Sequence, residues 1–141
     1  MFEDYEQAIQ LWSGIEGIGL NESDTPEAIQ AFLERNPGFS AVATAESGKV
    51  VGTILCGHNG RAGSIQHLAV VPEYRRQGIA RQLLEYAYTH LASAKIPRCN
   101  IFVYNDNQHG NHFWLNNGWV DPTTWRVLQK RITPECESGG C

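Results

Sequence analysis

Leu68-Ala69-Val70-Val71-Pro72-Glu73-Tyr74-Arg75-Arg76-Gln77-Gly78-Ile79-Ala80-Arg81 is the stretch on which the fold turns, because the hydrophobic period changes inside it. Up to Val71 the apolar residues form a short strand-like run that begins near Ser64. Beyond Pro72 they recur at Ile79, Leu83, Tyr86 or Ala87, and His90 or Leu91, the spacing of one helical face from about Gly78 to about Ala94. A strand therefore hands over to a helix. Gly78 and Ala80 carry little side chain at the helix start, so a ligand can approach the backbone where unpaired N–H groups and the positive end of the helix dipole favour an anion. Arg75, Arg76 and Arg81 add full charges around the same turn. A pyrophosphate suits this arrangement; an ordinary helix start with a solvated basic surface fits the spacing equally well. Neither G-x-x-x-x-G-K-[ST] nor G-x-G-x-x-G occurs in the chain, which argues against nucleoside triphosphate hydrolysis and dinucleotide redox chemistry.

Working outward, Phe39 to Ala45 and Val50 to Cys56 read as strands joined through Ser47-Gly48, and Asn59-Gly60 turns the chain into the Ser64–Val71 run. These make an antiparallel meander. Upstream, Tyr5, Ala8, Ile9 and Trp12 lie at helical spacing until Gly14, Gly17 and Gly19 break it. Asp24-Thr25-Pro26-Glu27 starts a second helix, with Asp24 or Thr25 as cap and Ala28, Ile29, Phe32 and Leu33 on one face, and Asn36-Pro37-Gly38 stops it. Downstream, Pro97 precedes a strand from Asn100 to Tyr104. Asn107 then caps a helix through Trp114 and Leu115 that closes at Asn117-Gly118, and Trp119 to Arg131 offers one or two final strands. Strand, helix and strand between residues 64 and 104 imply a parallel pair with a right-handed crossover. The expected class is α/β (α+β), a mixed, mostly antiparallel central sheet flanked by helices. One domain is expected over residues 1–132, with a loosely ordered Glu/Ser/Gly-rich tail at 133–141.

The chain has 141 residues, of which 42% are hydrophobic, and a formal charge of −4, enough for one core. No apolar run approaches the ~18 residues of a membrane helix, and Met1-Phe2-Glu3-Asp4 does not resemble the basic start of a signal peptide. A cytoplasmic protein without a membrane partner is therefore expected, and eleven Lys and Arg against fifteen Asp and Glu argue against a nucleic-acid partner. The cysteines Cys56, Cys99, Cys136 and Cys141 form no C-x-x-C pair and read as free thiols, the first two inside apolar runs. His109 and His112 stand three residues apart without the Glu of an H-E-x-x-H arrangement, so no metal is expected.

Two motifs resemble those of the GCN5-related N-acetyltransferases. Arg75-Arg76-Gln77-Gly78-Ile79-Ala80 is similar to the family's [Q/R]-x-x-G-x-[G/A] acetyl-CoA motif and follows a Leu-Ala-Val-x-Pro-x-Tyr-Arg strand end. Asn107-Gln108-His109-Gly110-Asn111-His112-Phe113-Trp114-Leu115-Asn116-Asn117-Gly118-Trp119 resembles the family's N-x-x-A-x-x-F-Y-x-x-x-G-F. The order of elements agrees over nearly the whole chain, and the region from Leu11-Trp12 to Asp24 looks like the bacterial YpeA-type branch. The resemblance implies an acetyl-CoA-dependent N-acetyltransferase acting on a primary amine of a small molecule or protein, with a homodimer as one permitted assembly. Backbone N–H groups of Gln77, Gly78, Ile79, Ala80 and Arg81 would hold the pyrophosphate, with Arg75 and Arg76 beside them. Leu68, Ala69 and Val70 would pair with the pantetheine arm, a backbone N–H near Val70 would serve the thioester oxygen, and Asn107, Gly110 and Phe113 would touch the arm from the other side. Family members also begin with a β-strand for which this sequence leaves no room before Phe2-Glu3-Asp4-Tyr5, so a sheet one strand short is expected.

The catalytic groups depart from the family pattern. Trp114 stands where members often carry the Tyr that protonates the leaving thiolate, and an indole cannot do so; Tyr104, Tyr86 or water is the substitute. Strand positions Ser64 and Gln66 match the family's base positions and hold neither carboxylate nor His, leaving Gln66 as the polar group there. Alternation turns His67 to the opposite face. Glu16 and Glu22 lie in the loop that borders the acceptor site in the family. A non-catalytic acyl-CoA-binding or regulatory module of the same fold is the alternative reading.

Overall fold

The structure is a computed structural model that describes residues 2–122 and 124–133. A 3-10 turn at Phe2–Asp4 runs into α1 (Tyr5–Ser13), and Glu22–Asp24 forms a second such turn before α2 (Pro26–Arg35). The meander follows as β1 (Ala41–Thr44), β2 (Val50–His58) and β3 (Gly63–Val70). A 3-10 turn at Pro72–Tyr74 leads to α3 (Ile79–Ser93), then β4 (Cys99–Asn100) and α4 (Gln108–Asn116). The chain divides between Asn107 and Gln108 into two compact units.

In the first unit the strands lie in the order β1-β2-β3-β4. The first three pair antiparallel, and β4 joins β3 in parallel through Gly63 with Cys99 and Ser64 with Asn100. Among the described residues no strand pairs with the outer edge of β1. β2 is buried from Val50 to Gly57 because both faces of the sheet are covered. Leu83, Leu84, Ala87 and Leu91 of α3 are buried, and a side chain at Gly52 would run into Ile79 and Leu83, which places α3 over that face of β2. Ala8, Leu11 and Trp12 of α1 and Ile29 of α2 form one cluster with Leu55 and Ala69 on the other.

Thr25 caps α2, its Oγ1 accepting from the Ala28 N–H at 3.2 Å, with Pro26 in the first turn. Asp24, the other cap candidate, belongs instead to the preceding turn. Its Oδ2 accepts from the Asn21 N–H at 3.0 Å while Asn21 Oδ1 accepts from the Ser23 N–H at 2.7 Å. This reciprocal bonding leaves Oδ1 of a buried carboxylate for another partner.

Three expectations from the sequence are corrected. The strand read from Asn100 to Tyr104 pairs only over Cys99–Asn100, and Phe102 and Tyr104 lie exposed beyond it. Alternating apolar residues specify a strand only where a partner continues, and β3 stops accompanying β4 after Ser64. For the same reason the final strands expected between Trp119 and Arg131 do not form among the described residues: Val120, Trp125, Val127 and Leu128 are exposed, and Trp119 instead serves to close α4. His67 is the third correction and is taken up with the site. Cys136 and Cys141 and the tail from 134 onward lie outside the described residues. No helix among the described residues is long and apolar enough to cross a membrane.

Burial pushes the thiol of Cys56 up to about 12 and that of Cys99 up to about 11. An unfolded thiol titrates near ~8.5, so the folded state holds these protons more tightly. That stability is fully present below about pH 8.5 and is lost as the pH climbs through about 11 for Cys99 and about 12 for Cys56. We expect iodoacetamide at pH 8.5 to label Cys56 more than a hundredfold more slowly in the native protein than in urea, read by peptide mass spectrometry. Equal rates would contradict the packing of β2.

Candidate active site

β3 does not run straight. Leu55 pairs with Gln66, but Thr53 pairs with Ala69, so His67 and Leu68 together stand opposite Ile54. The extra residue is a β-bulge. It is marked by His67 at φ 51°, a left-handed backbone that costs a side-chain-bearing residue about 1–2 kcal/mol. Thr53, fully buried, holds the bulge in place: its hydroxyl donates to the His67 carbonyl at 2.8 Å and accepts from the Trp12 indole N–H at 2.8 Å.

The bulge changes which face His67 occupies. Alternation would put it on the face opposite Gln66; in the structure its ring lies against Trp12, with centroids 4.5 Å apart and the planes inclined at 54°. Its Nε2 lies 2.7 Å from Asp24 Oδ1, so it shares the α1 side of the sheet with Gln66 and Ala69. The side chains of His67 and Asp24 are 13% and 9% exposed, a largely buried pair at the end of the loop that follows α1. Tyr5 on α1 donates its hydroxyl to the Asp24 carbonyl at 2.6 Å, and burial together with the Asp24 charge raises its phenol. Sequence reading missed this pair. The signal was the change from alternation at Ile65-Gln66-His67 to the unbroken apolar run Leu68–Val71, which an added residue explains.

The second feature is the edge of β3. Its pairing with β4 ends at Ser64, while its pairing with β2 continues to Val70. The other edge from Ile65 to Val70 therefore has no neighbouring strand among the described residues, and Leu68, Ala69 and Val70 lie along it. At the end of that edge Arg75 folds back, its Nε donating to the Val70 carbonyl at 3.0 Å. The chain then turns through Arg76 at φ 64° and Gly78 at φ 82° into α3. Gly78 caps this fifteen-residue helix with no side-chain hydrogen bond, and a Cβ there would meet only open space. Arg75, Arg76, Gln77, Gly78 and Arg81 are exposed around it, with Ile79 and Ala80 half-buried. An uncapped helix start with open space at its glycine and three guanidinium groups in the surrounding sequence suits a phosphate.

Tyr104 reaches the loop after α1, where its hydroxyl lies where a Cβ on Gly19 would have to sit, and Asn107 likewise occupies the space beside Gly17. The structure thus places Tyr104 and Asn107 against the same loop. Glu16 and Glu22 are exposed in and after it, and Gln66 lies half-buried on β3. In the second unit Gly110 and Phe113 lie on α4, where Trp114 is buried with its ring 5.2 Å from Phe113 and 5.0 Å from Trp119. The Trp119 N–H donates to the Trp114 carbonyl at 3.1 Å and closes the helix. Among the described residues no group of three or more His, Cys, Asp or Glu could hold a metal ion.

Replacing Thr53 by Val keeps its shape and removes both bonds, leaving the Trp12 indole N–H and the His67 carbonyl unpaired. We expect a loss of about 2 kcal/mol or more in urea unfolding. Unchanged stability of the Thr53→Val variant would show that the bulge is held by other means.

The arrangement has relatives. A sequence profile described as the acetyltransferase (GNAT) family matches residues 5–119. An acetyltransferase of Photorhabdus laumondii is 36% identical over 106 residues, 74% of this chain and 72% of that protein. One of Sodalis glossinidius is 34% identical over the same length and the same shares. Among solved structures, an acetyltransferase from Streptococcus agalactiae aligns with a TM-score of 0.71 at 20% identity, covering 93% of this chain and 85% of that one. The PaiA N-acetyltransferase from Thermoplasma acidophilum, solved in complex with coenzyme A, aligns with a TM-score of 0.68 at 21% identity, covering 83% and 84%. These two share the fold. With the profile spanning both motif regions and the bulged strand between its unpaired edge and α3, the chain belongs to the GNAT family of N-acetyltransferases.

Proposed function

We propose that the chain transfers an acetyl group from acetyl-CoA to a primary amine by direct attack within a ternary complex. The observation that carries this reading is the continuity of the unpaired β3 edge at Leu68, Ala69 and Val70 with the uncapped start of α3. One run of backbone groups thereby offers strand-type hydrogen bonds to a pantetheine arm and then free amides to a pyrophosphate. Gln77, Gly78, Ile79, Ala80 and Arg81 supply those amides. Arg75, tied to Val70, fixes where the strand ends and the turn begins. The coenzyme A complex of the PaiA neighbour and the acetyltransferase names of the relatives support the choice of donor.

The chemistry follows from the charges that develop. Attack of an amine on the thioester carbonyl puts negative charge on its oxygen, and a backbone N–H at Val70, fixed in a strand, stabilises it without reorganising. Coenzyme A leaves as a thiolate, whose pKa near ~8.5 makes it a tolerable leaving group. Tyr104 is the side chain we assign to return a proton to it, in place of the indole of Trp114. Gln66 on β3 and Glu16 in the loop after α1 border the acceptor side, Gln66 as an amide that orients water and Glu16 as a charge that attracts an ammonium. The burial of Trp114 favours one second reading, a module that binds acyl-CoA without turnover; acceptor-dependent thiol release separates the two.

The left-handed backbone of Gly78 shapes the test. Asp and Asn tolerate that conformation similarly, so Gly78→Asn carries the strain and Gly78→Asp adds a charge beside the pyrophosphate. Like charges about 4 Å apart repel by ~1–4 kcal/mol between bulk water and a protein surface. We expect calorimetry to show acetyl-CoA binding to Gly78→Asp at least tenfold more weakly than to Gly78→Asn. Equal affinities would sink the assignment of this turn.

A further inference from the structure

We propose that His67 is the proton acceptor for the amine substrate and that Asp24 sets its tautomer. The inference rests on the transferase reading above and adds the group that reading lacks. An amine of pKa near ~10.4 arrives at neutral pH as ammonium and cannot attack until it loses a proton.

Asp24 is held as an acceptor. Its Oδ2 takes the Asn21 N–H, and the 2.7 Å contact of Oδ1 with His67 Nε2 requires the proton on Nε2 when the carboxylate is charged and the imidazole neutral. The lone pair then sits on Nδ1. Every fully buried side-chain nitrogen and oxygen among the described residues has a hydrogen-bond partner. His67 Nδ1 has none there, so it is not fully buried, and a water can be its partner. A basic imidazole nitrogen whose opposite nitrogen is fixed by a carboxylate is the arrangement of the histidine base in a catalytic triad.

Position supports the same role. His67 precedes Leu68, the first residue of the backbone run assigned to the arm, and lies three residues before Val70 at the assigned oxyanion site. The bulge turns the ring to the side of the sheet on which the loop after α1 lies. Its charged partner is Asp24 from the turn before α2, which in turn accepts from the Tyr5 phenol on α1 through its carbonyl, and the exposed Glu22 lies two residues before Asp24. Trp12 covers its ring, and Thr53 holds its backbone.

The step balances as follows. The substrate ammonium gives one proton through a water to Nδ1, and the resulting imidazolium is paired with Asp24. The free amine attacks the thioester carbonyl carbon, a C–N bond forms, and the tetrahedral oxyanion collapses with cleavage of C–S. Tyr104 gives its proton to the departing sulfur and is reprotonated by the second proton lost from the nitrogen, and His67 returns its proton to solvent.

His67→Asn keeps a side chain that tolerates positive φ. With spermidine, Nα-acetyl-lysine methylamide and an alanine-initiated peptide as probes, we expect it to lose about a hundredfold or more in kcat/KM at pH 7. The loss should shrink as the pH rises towards the ammonium pKa, with acetyl-CoA affinity unchanged by calorimetry. With methoxyamine, already unprotonated at neutral pH, the variant should match wild type within threefold. Nitrogen-15 NMR of the wild type should show the Nε2–H tautomer of His67, lost in Asp24→Asn. An equal loss with both kinds of acceptor, no loss with either, an Nδ1–H tautomer, or a wild type that binds acetyl-CoA yet acetylates none of the probes would overturn the proposal. A wild type that does not bind acetyl-CoA would instead overturn the donor assignment beneath it.

Discussion

One buried hydroxyl, that of Thr53, joins the first helix to the strand on which the site is built. It accepts from the Trp12 indole and donates to the His67 carbonyl, so α1, β2 and the bulge in β3 are fixed by a single side chain. Without the bulge, Ile65, His67 and Ala69 would share one face. With it, Ile65 packs opposite Cys56 while His67 and Ala69 turn to the side of Trp12 and Leu55. The left-handed backbone at His67 is strained, and the contacts of its ring and carbonyl are what offset that strain.

The geometry on the far side of β3 has a complementary origin. β4 accompanies it for only two residues, and the departure of the chain beyond Asn100 leaves an edge whose hydrogen-bonding groups are unclaimed by another strand. An exposed edge is ordinarily a hazard for aggregation. Here it leads into the start of a long helix, so the same backbone that risks unwanted pairing is suited to an extended, strand-like ligand ending in phosphates. Fold and site are thus two consequences of one short pairing.

Much of this was legible in the residues. The change of period around Pro72 located the end of β3 and the start of α3 within a residue, because a strand run and a helical face cannot be confused over so long a stretch. Ser47-Gly48 and Asn59-Gly60 gave the two meander turns through their backbone preferences. Three things were not legible. Asn100 to Tyr104 has the composition of a strand, yet pairing depends on a partner that alternation within one segment cannot reveal. The same holds for the run after Trp119. The bulge at His67 depends on Thr53 and Trp12, distant in sequence, and one added residue reverses the face of every side chain before it. The contact of His67 with Asp24 depends on that reversal, so strict alternation hides it.

The central claim is that the unpaired edge of β3 and the start of α3 form one binding surface for acetyl-CoA. Titration of the nitrogen-15-labelled protein with coenzyme A tests it most directly. The largest amide shifts should fall on Leu68, Ala69 and Val70 together with Gln77 to Arg81, in one saturable process. Saturable binding that leaves the amides of either segment unmoved would contradict the claim.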